Sequence, residues 1–458
     1  NLSKPRLQKD RQFDLIVGNP PFGTKVANGD EDQLDGAFLD DFVLGCGKQS
    51  IQSEQIILEK SVSWLKPGGR LGMVLPDGVL NNSGSQSNCP ALREWLFKSG
   101  RILSVISLPD FAFRRSGATN KTSILIFEKF SDLESARLGN QLEACEGDIA
   151  VALKDSGLDY NIFFGEASHI GYTPSGRPDP RNDLYIADEN GYLSDDQTGS
   201  ILGEWNVWEE NGAVSDSRCV AERASSVWRS HPSHRVDPKY HVYMAHKGDY
   251  VPHGWSSAPM MDLVKRMRRN VDFGEEPMKE YKVLTLSQTG VARLREPGVG
   301  NNPPEWRGMY FYDSSSDWFE VRTSDIVYSG IDLWKGVVCF VTEEFDHALV
   351  TQEYPILRVK DPNVIDSEFL SILLRSRRFQ KAFRAINTGH SNRRRTQSSD
   401  FGKVLVYYPP IEKQKEIALK VRNARENIAK AYIGVSDVEN ELDAILHADE
   451  EWDETTES

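Results

Sequence analysis

Cysteine is scarce and scattered. The chain has five in 458 residues (Cys46, Cys89, Cys145, Cys219 and Cys339), and no two of them form a CxxC pair. This spacing suggests neither a disulfide framework nor a cysteine zinc site, and it fits a reducing compartment. Long apolar runs are missing too: no stretch approaches the ~18 residues of a membrane-spanning helix. The first residues carry no secretory leader pattern, so the expected location is the cytoplasm. Positive charge is in deficit, with 54 Lys and Arg against 68 Asp and Glu, a formal net charge of −14. A chain so acidic is not an indiscriminate binder of polyanions, but it keeps room for DNA because its basic residues are unevenly placed. What is present is enough apolar material, 39% of residues, for two or three domains with real cores.

The most informative local feature is Asn19-Pro20-Pro21-Phe22, directly after the apolar run Phe13-Asp14-Leu15-Ile16-Val17-Gly18. Asn-Pro and Pro-Pro are common turn formers, so a plain strand-to-turn transition is one reading. The other is an active-site loop for methylating an exocyclic or amide nitrogen. Such a nitrogen is a poor nucleophile because its lone pair is delocalised. A site must accept hydrogen bonds from both amine protons and hold the nitrogen in line with a methyl donor. The Asn19 side-chain oxygen can accept one proton and the Pro20 carbonyl the other. The two prolines stiffen the loop so that both acceptors point the same way, and Phe22 offers a flat face for a flipped base.

Downstream periodicity predicts a helix from Gln55 to Trp64, ended by Lys66-Pro67-Gly68-Gly69, and a strand from Arg70 to Leu75. A helix over Ala91–Ser99, a strand over Ile102–Leu108 and a strand over Thr122–Phe127 follow. This order matches the second half of a doubly wound α/β methyltransferase sheet, whose last two strands form an antiparallel hairpin. The segments LKPGGRLGMVLPDGVL (65–80), ISLPDFAF (106–113) and NKTSILIFEK (120–129) resemble the modification subunit of type I restriction–modification systems, from about Phe13 to about Leu184. The resemblance implies a gamma-class N6-adenine DNA methyltransferase that uses S-adenosylmethionine and needs no metal. It also implies that Phe113 covers the second face of the flipped adenine, although a core phenylalanine in a hairpin loop is an equal reading. The run HIGYTPSGRPDPRNDL (169–184) resembles the same subunits and reads as surface structure around the DNA cleft, without a chemical role.

Such an enzyme also needs a strand ending in a glycine-rich turn for the methionine end of the cofactor, and an acidic residue for the ribose. About a dozen residues precede the active-site strand, too few to hold them. Gly45-Cys46-Gly47 and Gly298-Val299-Gly300 lie in no suitable unit. The expectation is a split enzyme whose cofactor-binding half lies on a partner chain; a truncated piece of a longer chain is the alternative.

The second half differs in character. Strand-like runs at Lys282–Ser287, Val327-Tyr328, Gly336–Val341 and Leu357–Val359 lead to a helix over Ser367–Ala385. A loop, Asn387 to Gln397, precedes a short strand over Lys403–Val406 and then Tyr408-Pro409-Pro410-Ile411-Glu412-Lys413-Gln414. From about Tyr281 to Leu446 this resembles the target-recognition domain of type I specificity subunits, which implies double-stranded DNA as a ligand. His390, Asn392, Arg393, Arg394, Arg395 and Gln397 are the candidate DNA contacts in that loop. Lys265 and Arg266, with Arg268 and Arg269, form a second basic cluster. Arg375, Arg377, Arg378, Lys381 and Arg384 on the helix are DNA contacts or a solvated face. Glu412–Leu446 predicts one helix of roughly 50 Å. Its apolar residues from Ile417 to Ile445 recur at spacings of three and four, close to a heptad seam. The seam covers its own domain or pairs with a partner helix, so self-association is expected.

The fold expected from all this is α/β: the second half of a methyltransferase sheet, an α+β target-recognition domain and a long C-terminal helix. The boundaries are 1–210 for the catalytic half, 211–280 for a connecting region, 281–410 for recognition, 411–447 for the helix and 448–458 for an acidic tail. A non-catalytic DNA-binding scaffold with a methyltransferase remnant is the competing reading, which the intact Asn-Pro-Pro-Phe opposes. Methylation of a glutamine amide in protein is a third, which gives no reason for a recognition domain.

Overall fold

A computed structural model describes residues 12–29, 38–114, 121–249, 251–300, 302–331, 333–388, 395–396 and 398–454. Two compact units emerge. The first comprises Asn1–Tyr250 with Lys381–Asp400, and the second Val251–Gln380 with Phe401–Ser458. The stretch read as a connecting region, 211–280, is therefore shared between them.

The first unit is a mixed α/β structure. Its elements are β1 (Phe13–Gly18), α1 (Ser53–Trp64), β2 (Leu65–Pro76), α2 (Cys89–Ser99), β3 (Gly100–Ser107), β4 (Thr122–Lys129), β5 (Asn161–Glu166) and β6 (Cys219–Arg223). The six strands form one sheet in the order β1-β2-β4-β3-β5-β6. β1 and β2 run parallel, as do β3 and β5, while β4 is antiparallel to both its neighbours and β6 is antiparallel to β5. The expected antiparallel pair is present as β3–β4, but it does not close the sheet, because β5 and β6 extend it past what the sequence pattern revealed. Lys66-Pro67-Gly68-Gly69 does not make a separate turn. The helix stops at Trp64 and the chain enters β2 at once.

Leu71, Leu75, Leu92, Leu96, Phe97, Leu125 and Phe127 form the centre of the core and are fully buried. Tight packing there constrains Gly100, where α2 ends. A Cβ at this position would run into the Glu128 carbonyl and the Phe127 ring, so only glycine lets β3 begin where it does.

β1 is covered on one side only. Its ladder with β2 satisfies one edge, and no strand pairs its other edge among the described residues. Ile16 packs against the core. On the opposite face, Phe13, Leu15 and Val17 lie in the open, with Leu15 63% and Val17 77% exposed. Strand side chains alternate between faces, so one apolar face of this strand is solvated along its whole length. Three apolar residues in a row on a bare edge strand are a pairing and aggregation hazard that folded proteins cover.

Lys381–Asp400 joins the first unit through buried charge. Arg235, fully buried, holds Asp237 with two parallel bonds of 2.8 Å and donates to the carbonyls of Ala385, Ile386 and Asn387 at 3.1, 2.9 and 3.3 Å. It also reaches Asp400 at 3.3 Å, and the buried His231 meets the same Asp400 oxygen at 3.1 Å. Burial pulls the Arg235 pKa down, but the Asp237 and Asp400 carboxylates outweigh it and raise it. Removing one member of such a network leaves buried charges unpaired. Arg235→Met should therefore destabilise this unit by about 3–5 kcal/mol, read from the denaturant midpoint. A loss below about 1 kcal/mol would show that the network does not hold the segment.

The second unit has a four-stranded antiparallel sheet of β7 (Val264–Met267), β8 (Ile326–Tyr328), β9 (Val338–Phe340) and β10 (Ile356–Val359), in the order β7-β10-β8-β9. Beside it sits an aromatic cluster of Phe273, Tyr281, Trp306 and Phe311, with Trp318 packed against it. The helix expected over Ser367–Ala385 is two: α3 (Ser367–Leu374), whose N-terminus is capped by Asp366, and a second over Arg377–Ile386. The break falls where the N–H groups of Arg375 and Ser376 bond to carbonyls three residues back instead of four, tightening the last turn. The strand expected at Lys403–Val406 runs over Leu405–Tyr408.

The C-terminal helix α4 spans Ile411–Glu454, longer than expected. Gln414 seats its first turn, bonding the carbonyls of Val364 and Pro409 at 3.0 and 2.8 Å. Arg422 pairs with Glu368. Beyond that the seam is bare: Ile428, Val435, Val438, Leu442 and Ile445 are all exposed. Among the described residues no helix is long and apolar enough to cross a membrane.

Candidate active site

The Asn-Pro-Pro-Phe loop leaves the C-terminal end of β1 with Asn19 exposed, Pro20 buried and Phe22 half-buried. The start of α1 grips it. Ser53 Oγ donates to the Pro21 carbonyl at 3.1 Å, the Gly23 N–H donates to the Glu54 carboxylate at 3.2 Å, and the Ser53 N–H bonds the Thr24 carbonyl at 2.8 Å. Gly23 takes a left-handed φ of 76°, a conformation that favours glycine and lets the loop turn back. A two-stranded ladder between Lys25–Ala27 and Ser50–Gln52 continues the grip. Pro21 through Ala27 is thus fastened along its length, and Asn19 is carried on a braced turn. Beside this anchor lies a cavity of about 310 Å³, bordered by Lys25, Gln52, Glu54, Gln55 and Asn88 among others.

Phe113 comes from the turn after β3 and meets Phe22, the two rings edge to face at 6.5 Å and 85°. The fold therefore brings together the two aromatics that the sequence singled out 91 positions apart. The Phe113 turn is fixed by an ion cluster. Asp110 pairs with Lys121 at 2.5 Å, Lys239 at 3.6 Å and Arg384 at 3.6 Å. Burial pushes the Asp110 carboxyl up, but Lys239, Lys121 and Arg384 together outweigh it and hold its pKa at about 2. Lys239 also faces Asp77 at the end of β2, and Ser123 donates to Asp77 at 2.8 Å.

Ser53, Glu54, Asp110, Lys239 and Arg384 are the supports that sequence reasoning did not single out as such. Asp110 lay inside the ISLPDFAF segment, and Arg384, read as a DNA contact or a solvated residue, pairs with Asp110 instead. The 169–184 run is also no mere surface: Tyr172 donates its hydroxyl to the Ala112 carbonyl.

The candidate DNA contacts divide. His390, Asn392, Arg393, Arg394 and Gln397 lie outside the described residues. The backbone of Arg395 pairs with that of Thr388 in a short antiparallel ribbon of the first unit. Lys265 and Arg266 lie exposed on β7 of the second unit, Arg266 donating to the Tyr328 hydroxyl at 2.9 Å. A cavity of about 250 Å³ is lined by Arg266, Arg268, Gln352 and Tyr354, among others. Arg269 is instead committed to the buried Asp325. Within the helix cluster, Arg375 bonds the Thr289 carbonyl and Arg378 lies over the Tyr407 ring.

No strand–glycine-turn able to hold the methionine end of a methyl donor occurs among the described residues, and the edge of β1 where one would pair is open. The described residues do not make a complete cofactor site. No group of three or more His, Cys, Asp or Glu that could hold a metal ion occurs among the described residues.

Residues 1–139 match the N-6 DNA Methylase family. Among individual proteins, the chain is 30% identical over 128 residues to the type I restriction enzyme EcoEI methylase subunit of Escherichia coli, covering 28% of this chain and 23% of that protein. It is 26% identical over 224 residues to the StySPI methylase subunit of Salmonella potsdam, covering 48% and 36%. The match thus spans about a quarter to a third of those relatives' own length. Among solved structures, the HsdS subunit from Thermoanaerobacter tengcongensis aligns with 41% of this chain and 46% of its own, at 17% identity and a TM-score of 0.32.

Proposed function

We propose that this chain is the catalytic-loop and sequence-specificity part of an adenine-N6 DNA methyltransferase in a restriction–modification or phage-defence system. The observation that carries the reading is the braced Asn-Pro-Pro-Phe loop with Phe113 at its Phe22 ring. A base taken out of the stack is read on its Watson–Crick edge and held between flat side chains. Asn19 and the Pro20 carbonyl accept the two N6 protons, pulling electron density onto the nitrogen. Phe22 and Phe113 exchange their edge-to-face contact for the faces of the adenine ring. When bound, S-adenosylmethionine supplies the methyl group. Its binding residues belong on whatever covers β1, either a second chain, as a split enzyme would have, or another segment of a longer one. Lys265, Arg266 and the 390–397 loop contact double-stranded DNA, and the seam of α4 pairs with a second helix, allowing self-association.

The test is incubation of the assembled enzyme with labelled S-adenosylmethionine, host DNA and, separately, a glutamine-containing peptide. Label should appear as N6-methyladenine at one recurring sequence and be absent from the peptide; label only in the peptide would replace the DNA reading with the protein one. In the same preparation, changing Arg393, Arg394 and Arg395 to alanine should weaken DNA binding. It should also flatten the salt dependence by a slope of up to about 0.9 per lost phosphate contact. An unchanged affinity and slope would make that loop an ordinary solvated turn.

A further inference from the structure

The turn that carries Phe113 has little packing of its own. Phe111, Ala112 and Phe113 are all only half-buried, and the turn is closed by two local bonds, Ala112 N–H to Pro109 and Arg114 N–H to Phe111. The Asp110 ions fix its beginning. Its far side is fixed from a hairpin of Ile170–Tyr172 and Pro178–Asn182, which lies beyond the 139 residues of the family match. Tyr172 donates its hydroxyl to the Ala112 carbonyl at 2.6 Å and sets its ring edge-on to Phe111 at 6.0 Å and 73°.

The hairpin is a firm mount. Its tip is closed by Thr173 N–H to the Arg177 carbonyl and Gly176 N–H to the Thr173 carbonyl, both 2.8 Å. At its base, Asp183 accepts the N–H groups of Ser168 and His169 at 2.7 and 2.8 Å, and pairs with Arg218 at 2.9 Å. Ala112 immediately precedes Phe113, so a bond to its carbonyl orients the peptide plane from which the Phe113 side chain springs. Peptide planarity carries that orientation onward.

We propose that Tyr172 is a positioning residue for the flipped base: through the Ala112 carbonyl it sets the Phe113 ring at the angle and height at which it covers the adenine. The proposal rests on the methyltransferase reading above. Tyr172 touches no reacting atom. It acts by pre-organising a stacking face, the kind of support whose loss misplaces a ring while leaving DNA affinity intact.

The experiment uses the assembled enzyme and a duplex carrying its mapped site, with adenine for turnover and 2-aminopurine at the target position for extrusion. Tyr172→Phe removes only the hydroxyl. It should lower kcat about 3- to 10-fold, the range of one hydrogen bond, and reduce the 2-aminopurine fluorescence rise. KM, DNA affinity and the unfolding midpoint should stay as in the wild type. Tyr172→Ala, which also removes the ring, should lower kcat further. Wild-type kcat and fluorescence in Tyr172→Phe would overturn the proposal, as would a fall in kcat matched by an equal loss of DNA affinity. A wild-type enzyme that neither methylates adenine nor brightens 2-aminopurine would overturn the underlying methyltransferase reading, and the proposal with it.

Discussion

Asn19→Ala should cost the assembled enzyme at least about a hundredfold in kcat, the scale of losing one oriented hydrogen-bonding group aimed at developing charge. Sequence-specific DNA binding should be unchanged. The Asn19 side chain is exposed at the end of β1, while the loop is held through Pro21, Gly23 and Thr24. Alanine at position 19 therefore removes an acceptor without loosening the turn. Phe22→Ala should act differently. Stacking on an aromatic ring is worth about 1–3 kcal/mol per base, so kcat should fall between about 5- and 150-fold. The 2-aminopurine signal should fall with it, because the extruded base loses one of its two faces. Single-turnover methylation on a short duplex measures both variants. Undiminished turnover by Asn19→Ala would sink the assignment of the loop.

The second large effect concerns the bare strand. The isolated chain should bind S-adenosylmethionine weakly or not at all by titration calorimetry. It should gain tight binding only with a polypeptide that supplies a strand and glycine turn against β1. Leu15 and Val17 already face solvent, so the double change to lysine should leave the isolated chain's unfolding midpoint nearly untouched. It should nevertheless abolish assembly. Covering those two side chains is worth about 1.5–3 kcal/mol each, and the variant instead requires two ammonium groups to leave water. Tight cofactor binding by the isolated chain, or assembly that tolerates both lysines, would show that this strand is not the joint.

Much of the first unit was legible in the residues because the signals are local. Apolar periodicity and Gly-Pro punctuation located α1, β2, α2, β3 and β4 to within a few residues, apart from the start of β2, which reaches back to Leu65. Residue chemistry alone marked Asn19, Pro20 and Phe22 as candidates, beside the plain turn that the same residues could make. The antiparallel β3–β4 pair followed from element order, but not its place inside a longer sheet.

Other features depended on pairings that no local pattern records. That β5 and β6 extend the sheet is a matter of long-range ladder partners. Lys381–Asp400 joins the first unit because Arg235 and His231, some 150 residues earlier, satisfy its carbonyls and Asp400. A run of sequence shows an arginine and an aspartate but not their meeting. Tyr172 likewise looked like a surface tyrosine until the hairpin set its hydroxyl on Ala112. Sequence by itself determined which groups are candidates to take hold of an amine and where the local helices and strands from β1 to β4 form. The tertiary structure decided what braces them, because a buried hydrogen bond or ion pair exists only once two distant segments have already packed together.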